Sequence, residues 1–136
     1  MSSILSIAVS GITAASDRLQ DSANNVANVE SDGPLPSASA ATQAQYPAAY
    51  TPEQVHQVAT AGGGTKAITT SVQPGYTVAY DPTAPYADPN GDVARPNVNF
   101  TSEAFQQLTA RYDFVMNAYV ARVYSRMMKS LLDVQT

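Results

Sequence analysis

Apolar and small residues recur along the first thirty positions at alternating steps of three and four: Leu5, Ala8, Ile12, Ala15, Leu19, Ser22, Val26 and Val29. That repeat puts them on one side of a helix and is the pattern of a coiled-coil seam, with Ala and Ser in its weaker positions. The spacing predicts a helix from about Ser3 to Val29, roughly 40 Å long at ~1.5 Å per residue. No second helical pattern lies nearby, so the seam calls for a partner helix from elsewhere.

The end of the chain carries a similar stripe: Phe105, Leu108, Tyr112, Val115, Tyr119, Val123, Met127, Leu131 and Val134. Its run of four-residue steps from Val115 onward interrupts the heptad and locally unwinds any supercoil. Ser102 is the expected N-cap, with Glu103 in the first turn where a negative charge suits the helix dipole. This second helix is roughly 50 Å long. Met127 and Met128 could form an adaptable recognition surface, but core filler is the preferred reading.

Helix breakers divide the sequence. All nine prolines lie within 34–96 and six of the seven glycines within 33–91. Three segments result: an N-terminal helix over 1–30, a Pro/Gly-rich middle over 31–100 and a C-terminal helix over 101–136. In the middle, Ser37 to Ala49 is rich in Ala, Ser and Gln and reads as a loop or extended linker. Gln54 to Ala59 has weak strand character. Thr65 to Val72 and Tyr76 to Tyr80 flank Gln73-Pro74-Gly75, which predicts a short β-hairpin. Because an isolated hairpin is marginal in water, it is expected to rest on one of the helices. The fold class is therefore mainly α with a small β element: long N- and C-terminal helices pairing as a coiled coil, with a short β-hairpin and irregular loops between them.

Composition narrows the function. The 136 residues suit one domain, but 22 are Ala and only 26 are Leu, Ile, Val or Phe. A monomer of this kind buries a thin core and gains from a partner. The absence of Cys excludes disulfides, thiolate metal sites and a Cys nucleophile, and a single His, His56, excludes a multi-histidine metal site. With seven Lys and Arg against a net charge of −4, nucleic acid is not an expected partner. No apolar run is long enough to span a bilayer. Met1 to Ser6 lacks a basic n-region, so the chain is expected to stay in the cytoplasm or to leave without a cleaved signal.

The local motifs reduce to turns. Asp88-Pro89-Asn90-Gly91-Asp92 looks like the start of a calcium loop, but the sixth and twelfth positions are Val93 and Asn99 instead of Gly and Glu. A tight turn at Asn90-Gly91 accounts for it. Gly62-Gly63-Gly64-Thr65-Lys66 lacks phosphate-loop spacing and suits a flexible hairpin end. His56 has no matched carboxylate or Ser nearby and reads as a surface or packing residue. No catalytic, cofactor-binding or metal site is expected, nor a small-molecule substrate, and the chain reads as a non-enzyme.

One cluster resists a local account. Asn24, Asn25 and Asn28 stand near the end of the first helix, where each costs a few tenths of a kcal/mol relative to Ala. Asn28 serves as a cap. The adjacent pair is expected to hydrogen-bond neighbouring chains.

Leu19 through Asn28, containing Ser-Ala-Asn-Asn-Val-Ala-Asn, resembles the N-terminal hallmark of the bacterial flagellar axial family of rod, hook and hook-associated proteins. The stretch from Tyr80 to Val93, leading to Pro96-Asn97-Val98-Asn99, and Met127-Met128-Lys129-Ser130-Leu131 are similar to the proximal-rod branch of that family. Arg111-Tyr112 and Asn117 fit the wider pattern. The resemblance implies a structural subunit of the flagellar basal-body rod, the drive shaft crossing the periplasm. It further implies type III export without a cleaved signal peptide and assembly through the terminal helices into an inner tube. The implied partners are other copies of the chain, other rod proteins and the export apparatus, with no cofactor. The expected assembly interface comprises Leu5, Ile12, Leu19, Asn24, Asn25, Val26 and Asn28 on the first helix, with Leu108, Tyr112, Val115, Tyr119, Val123, Met127 and Leu131 on the second. Another axial protein of similar size, or a cytoplasmic coiled-coil adaptor, would share the heptads; the adaptor would leave the Asn cluster unexplained.

Overall fold

Two long helices bracket the chain, 24 residues near its start and 34 near its end. The computed structural model describes residues 4–133, which form α1 (Ile4–Ala27), α2 (Ala40–Gln45), β1 (Glu53–Ala59), β2 (Thr65–Ser71), β3 (Tyr76–Tyr80), β4 (Asp92–Pro96) and α3 (Phe100–Asp133). The expected helical positions Ser3 and Val134 lie outside the described residues.

α1 and α3 pack side by side in opposite directions. Gly11 lies against Asn117, Arg18 reaches Asp113 at 2.8 Å, and Ser22 and Asn25 both bond Glu103. The seam consists of small side chains: Ala8, Ala15 and Ser22 are buried on α1, and Ala110 on α3. Gly11 belongs to this seam, because a Cβ there would stand 2.5 Å from Asn117 Oδ1. The helix therefore tolerates a glycine that costs about 1 kcal/mol relative to Ala. The heptad stripe is split as a result. Its small members turn inward, where they let the backbones approach, while Leu5 and Leu19 flank the contact and stay exposed.

The α3 start differs from the sequence expectation. The helix begins at Phe100, and Asn99 Oδ1 accepts from the Ser102 backbone N–H at 2.9 Å. Asn99 is thus the cap and Ser102 lies inside the first turn, followed by Glu103.

The β element also differs. β2 pairs with β1 and not with β3, in an antiparallel register running from Glu53 opposite Ser71 to Ala59 opposite Thr65. The hairpin end is the glycine run, where Gly63 (φ +86°) and Gly64 (φ +90°) adopt the left-handed backbone that a tight reversal requires. Pro74-Gly75 carries the chain from one strand pair into the other. β3 pairs with β4, a strand absent from the sequence expectation, with Tyr76 opposite Pro96 and Tyr80 opposite Asp92. Asp92–Pro96 shows little alternation and ends in Pro, which suits a strand terminus and hides it from pattern reading. Asn90-Gly91 does form a tight turn: Asp88 Oδ1 accepts from the N–H groups of Asn90 and Asp92, and Gly91 has φ +85°.

The Ser37–Ala49 segment contains α2, six residues capped by Ser39 Oγ, which accepts from Thr42 N–H at 3.2 Å. Ala and Gln are adequate helix formers, enough for one short helix inside the expected loop.

It is β1–β2, and not the expected hairpin across Pro74-Gly75, that rests on α1. Thr65 N–H donates to Ser10 Oγ at 3.1 Å, and Thr69 Oγ1 donates to Asp21 Oδ2 at 2.9 Å. β3–β4 is tied to the chain leaving α1 by two 2.9 Å backbone bonds between Gly33 and Ala94, and by Arg95 gripping the Asp32 carboxylate through two nitrogens. Val93, Ala94 and Pro52 are fully or almost fully buried. The layer order is strand pair, then α1, then α3.

Candidate assembly surface

Asn25 is the polar centre of the subunit. It is 1% exposed, and its amide makes four hydrogen bonds. Nδ2 donates to the Glu53 carbonyl at 2.7 Å and to Glu103 Oε1 at 3.0 Å, while Oδ1 accepts from Tyr50 OH and Glu53 N–H, both at 3.0 Å. These bonds exhaust the two donors and two acceptor sites of an amide. The sequence expectation placed its partners in neighbouring chains; here they belong to the loop before β1, to β1 itself and to α3. Asn24 is exposed at the same helix end, and Asn28 caps it by donating to the Asn24 carbonyl at 3.0 Å. Burial pushes the Tyr50 phenol above its ordinary pKa, with the charges of Glu53, Asp21 and Glu103 adding to the shift.

The large apolar residues point away from this centre. Leu5, Leu19, Leu108, Tyr112, Val115, Tyr119, Met127 and Leu131 are exposed, while Ile12, Val26 and Val123 are half-buried. Leu19, Ala23, Leu108, Phe114 and Val115 line a shallow apolar groove between α1 and α3. A second patch gathers Ile4, Tyr119, Val120, Val123, Tyr124 and Met127. Phe114, Met116, Val120, Met128 and Leu132 are equally exposed and fall outside the expected stripe. They were legible as apolar residues on every side of α3, a distribution that suits a helix surrounded by protein. A monomeric protein rarely leaves so much contiguous apolar surface in water.

Among the described residues no group of three or more His, Cys, Asp or Glu is placed to hold a metal ion, and no helix is long and apolar enough to cross a membrane. His56 is exposed on β1, opposite Ile68.

No family model matches the chain. Over 130 residues it is 35% identical to the flagellar basal-body rod protein FlgC of Salmonella typhimurium, covering 94% of this chain and 93% of the relative, and it stands at the same identity to FlgC of Salmonella typhi. The chain belongs to the FlgC family of flagellar basal-body rod proteins. Coverage of 94% requires the FlgC likeness to include the middle segment as well as both long helices, so the two strand pairs belong to the matched region. The exposed apolar faces of α1 and α3 therefore sit on the framework of a FlgC-type chain.

Proposed function

We infer that the chain is a structural subunit of the bacterial flagellar basal-body rod. It leaves the cell body through the flagellar type III export apparatus without a cleaved signal, and assembles with further copies and with other rod proteins through its terminal helices. The observation that carries this reading is the combination of near full-length FlgC likeness with two paired helices whose large apolar side chains face outward. The small-residue seam joins α1 to α3 within the subunit, and the outward Leu, Tyr, Val and Met positions bind between subunits. Burial of each such side chain contributes about 1.5–3 kcal/mol. The assembly residues are those expected from the sequence, with Asn25 acting indirectly by holding α1, β1 and α3 together. The rod so built crosses the periplasm and is needed for swimming.

Deleting the gene in its flagellated host tests the reading. Basal bodies isolated from the deletion strain are expected to stop short of a complete rod, with motility restored by the intact gene in trans. Complete rods and normal swimming in the deletion strain would overturn it.

A further inference from the structure

Charge is divided unevenly along this chain. Residues 114–132 carry three cations, Arg122, Arg126 and Lys129, and no acid; the rest of the chain holds the other four cations and all eleven acids. The two ion pairs described, Arg18–Asp113 and Arg95–Asp32, do not involve these three. Arg111, Arg122, Arg126 and Lys129 follow at steps of eleven, four and three, which at 3.6 residues per turn places them in one stripe. All four are exposed. The α1-facing side of α3 is marked by Glu103, Ala110, Asp113 and Asn117; Arg111 stands at the rim of the α1–α3 groove, and Arg122, Arg126 and Lys129 continue the stripe away from that contact. Exposed Tyr112, Val115 and Tyr119 adjoin it.

The opposite charge is gathered elsewhere. Residues 67–94 contain no Lys or Arg; the loop between β3 and β4 bears Asp81 and Asp88, Asp92 opens β4, and the nearby Arg95 is paired with Asp32. That loop is held in shape by its own bonds, from Thr83 to Asp81 and from Asn90 and Asp92 to Asp88. Hydrogen bonds to Asp81 and Asp88 lower both carboxyl pKa values, so they stay ionised in mild acid.

We propose that the basic stripe of α3 docks the acidic β3–β4 loop of a second copy of this chain. An α3-to-α3 contact through these stripes would set cation against cation, which disfavours a two-fold dimer. Stripe-to-loop contact joins two different surfaces; repeated head to tail it leaves one of each free at the two ends, where further copies can add. This proposal rests on the assembly reading above and names its partner surfaces.

Sedimentation of the full chain at low and high salt tests it, together with three variants. One carries Arg122→Glu, Arg126→Glu and Lys129→Glu; the second carries Asp81→Lys, Asp88→Lys and Asp92→Lys; the third combines all six. The wild-type chain is expected to self-associate, with its association weakened about tenfold or more by salt. Each triple variant should lose association and the combined one should regain it, with circular dichroism showing that all remain folded. Association unchanged in both triple variants, but lost in Leu19→Asp, would overturn the charge pairing and leave apolar assembly standing. Loss in the stripe variant alone, or stripe-dependent binding to anionic vesicles without self-association, would show a different acidic partner and overturn the proposal. A wild-type chain that stays monomeric at every concentration and salt would overturn it too, while basal bodies completing without the gene would remain the separate failure of the rod reading.

Discussion

Asn25 Nδ2 and Glu103 Oε1 meet at 3.0 Å between α1 and the first turn of α3, with the backbone of Glu53 bonded to both sides of the same amide. One buried side chain thereby fixes where the N-terminal helix, the first strand and the start of the C-terminal helix stand relative to one another.

Replacing Asn25 by Leu should destabilise the subunit although Leu is the better helix former. The change leaves the Glu53 backbone, Tyr50 OH and Glu103 without their partner, and unsatisfied buried groups cost about 1–3 kcal/mol each, partly recovered by water. A loss of about 3 kcal/mol in urea unfolding is expected. An unchanged midpoint would show that the amide does not organise the fold.

Gly11→Ala should fail to stabilise α1 on its own, because the added methyl meets Asn117 at 2.5 Å. With Asn117→Ala already in place the obstacle is gone, and the same substitution should then add about 0.5–1 kcal/mol. A thermal double-mutant cycle measures the difference. Equal effects in both backgrounds would remove the steric account.

Leu19→Asp and Leu131→Asp alter side chains that are exposed in the single subunit, 43% and 62% respectively. Melting of the isolated chain should therefore shift by less than about 0.5 kcal/mol, the usual range for surface changes. Rod completion in cells should nevertheless stop, since a charge buried without a partner costs several kcal/mol. Lys66→Ala should be tolerated in both assays. Normal swimming with both aspartate variants would remove these residues from the interface.

Tyr50 predicts the alkaline limit of stability. Its folded pKa is raised above the ordinary 10.0 by burial and nearby carboxylates, so the neutral phenol is favoured in the folded state. Its contribution is fully present below pH 10 and is lost as pH rises through the folded value. The urea midpoint of the wild-type chain should fall over that interval, and Tyr50→Phe should flatten this component. A wild-type curve superimposable on that of Tyr50→Phe would refute the linkage.

Much of this architecture is legible in the sequence because α1 and α3 carry helical spacing over many residues and contain no proline. The inward and outward roles along that stripe are less legible. A heptad reading favours Leu5 and Leu19 as seam residues by their size, whereas the close approach at Gly11 and Asn117 selects Ala8, Ala15 and Ser22. Strand pairing failed for a related reason. Pro74-Gly75 and Gly63-Gly64 both suit reversals, and the choice between them depends on the contacts of β2 with Ser10 and Asp21 and of β1 with Asn25, which local spacing does not encode. Asn25 stood out because its helix position lacked a local reason, but its partners are 25 to 78 residues away in sequence.

The alanine-rich contact between the two long helices has an entropic side. Ala and Gly have no side-chain rotamers to lose, and Ser has few, so apart from the polar links made by Arg18, Asp113, Asn25 and Glu103 bringing α1 against α3 immobilises little beyond the backbone. Larger residues would hold the pair more tightly through dispersion, yet each would surrender up to about 1 kcal/mol of rotameric freedom whenever the helices closed. The small-residue part of this contact can be opened and re-zipped with little change in side-chain disorder, and the rotameric cost of closing it is confined to a few directional links that also set its alignment, Arg18 with Asp113 and Asn25 with Glu103.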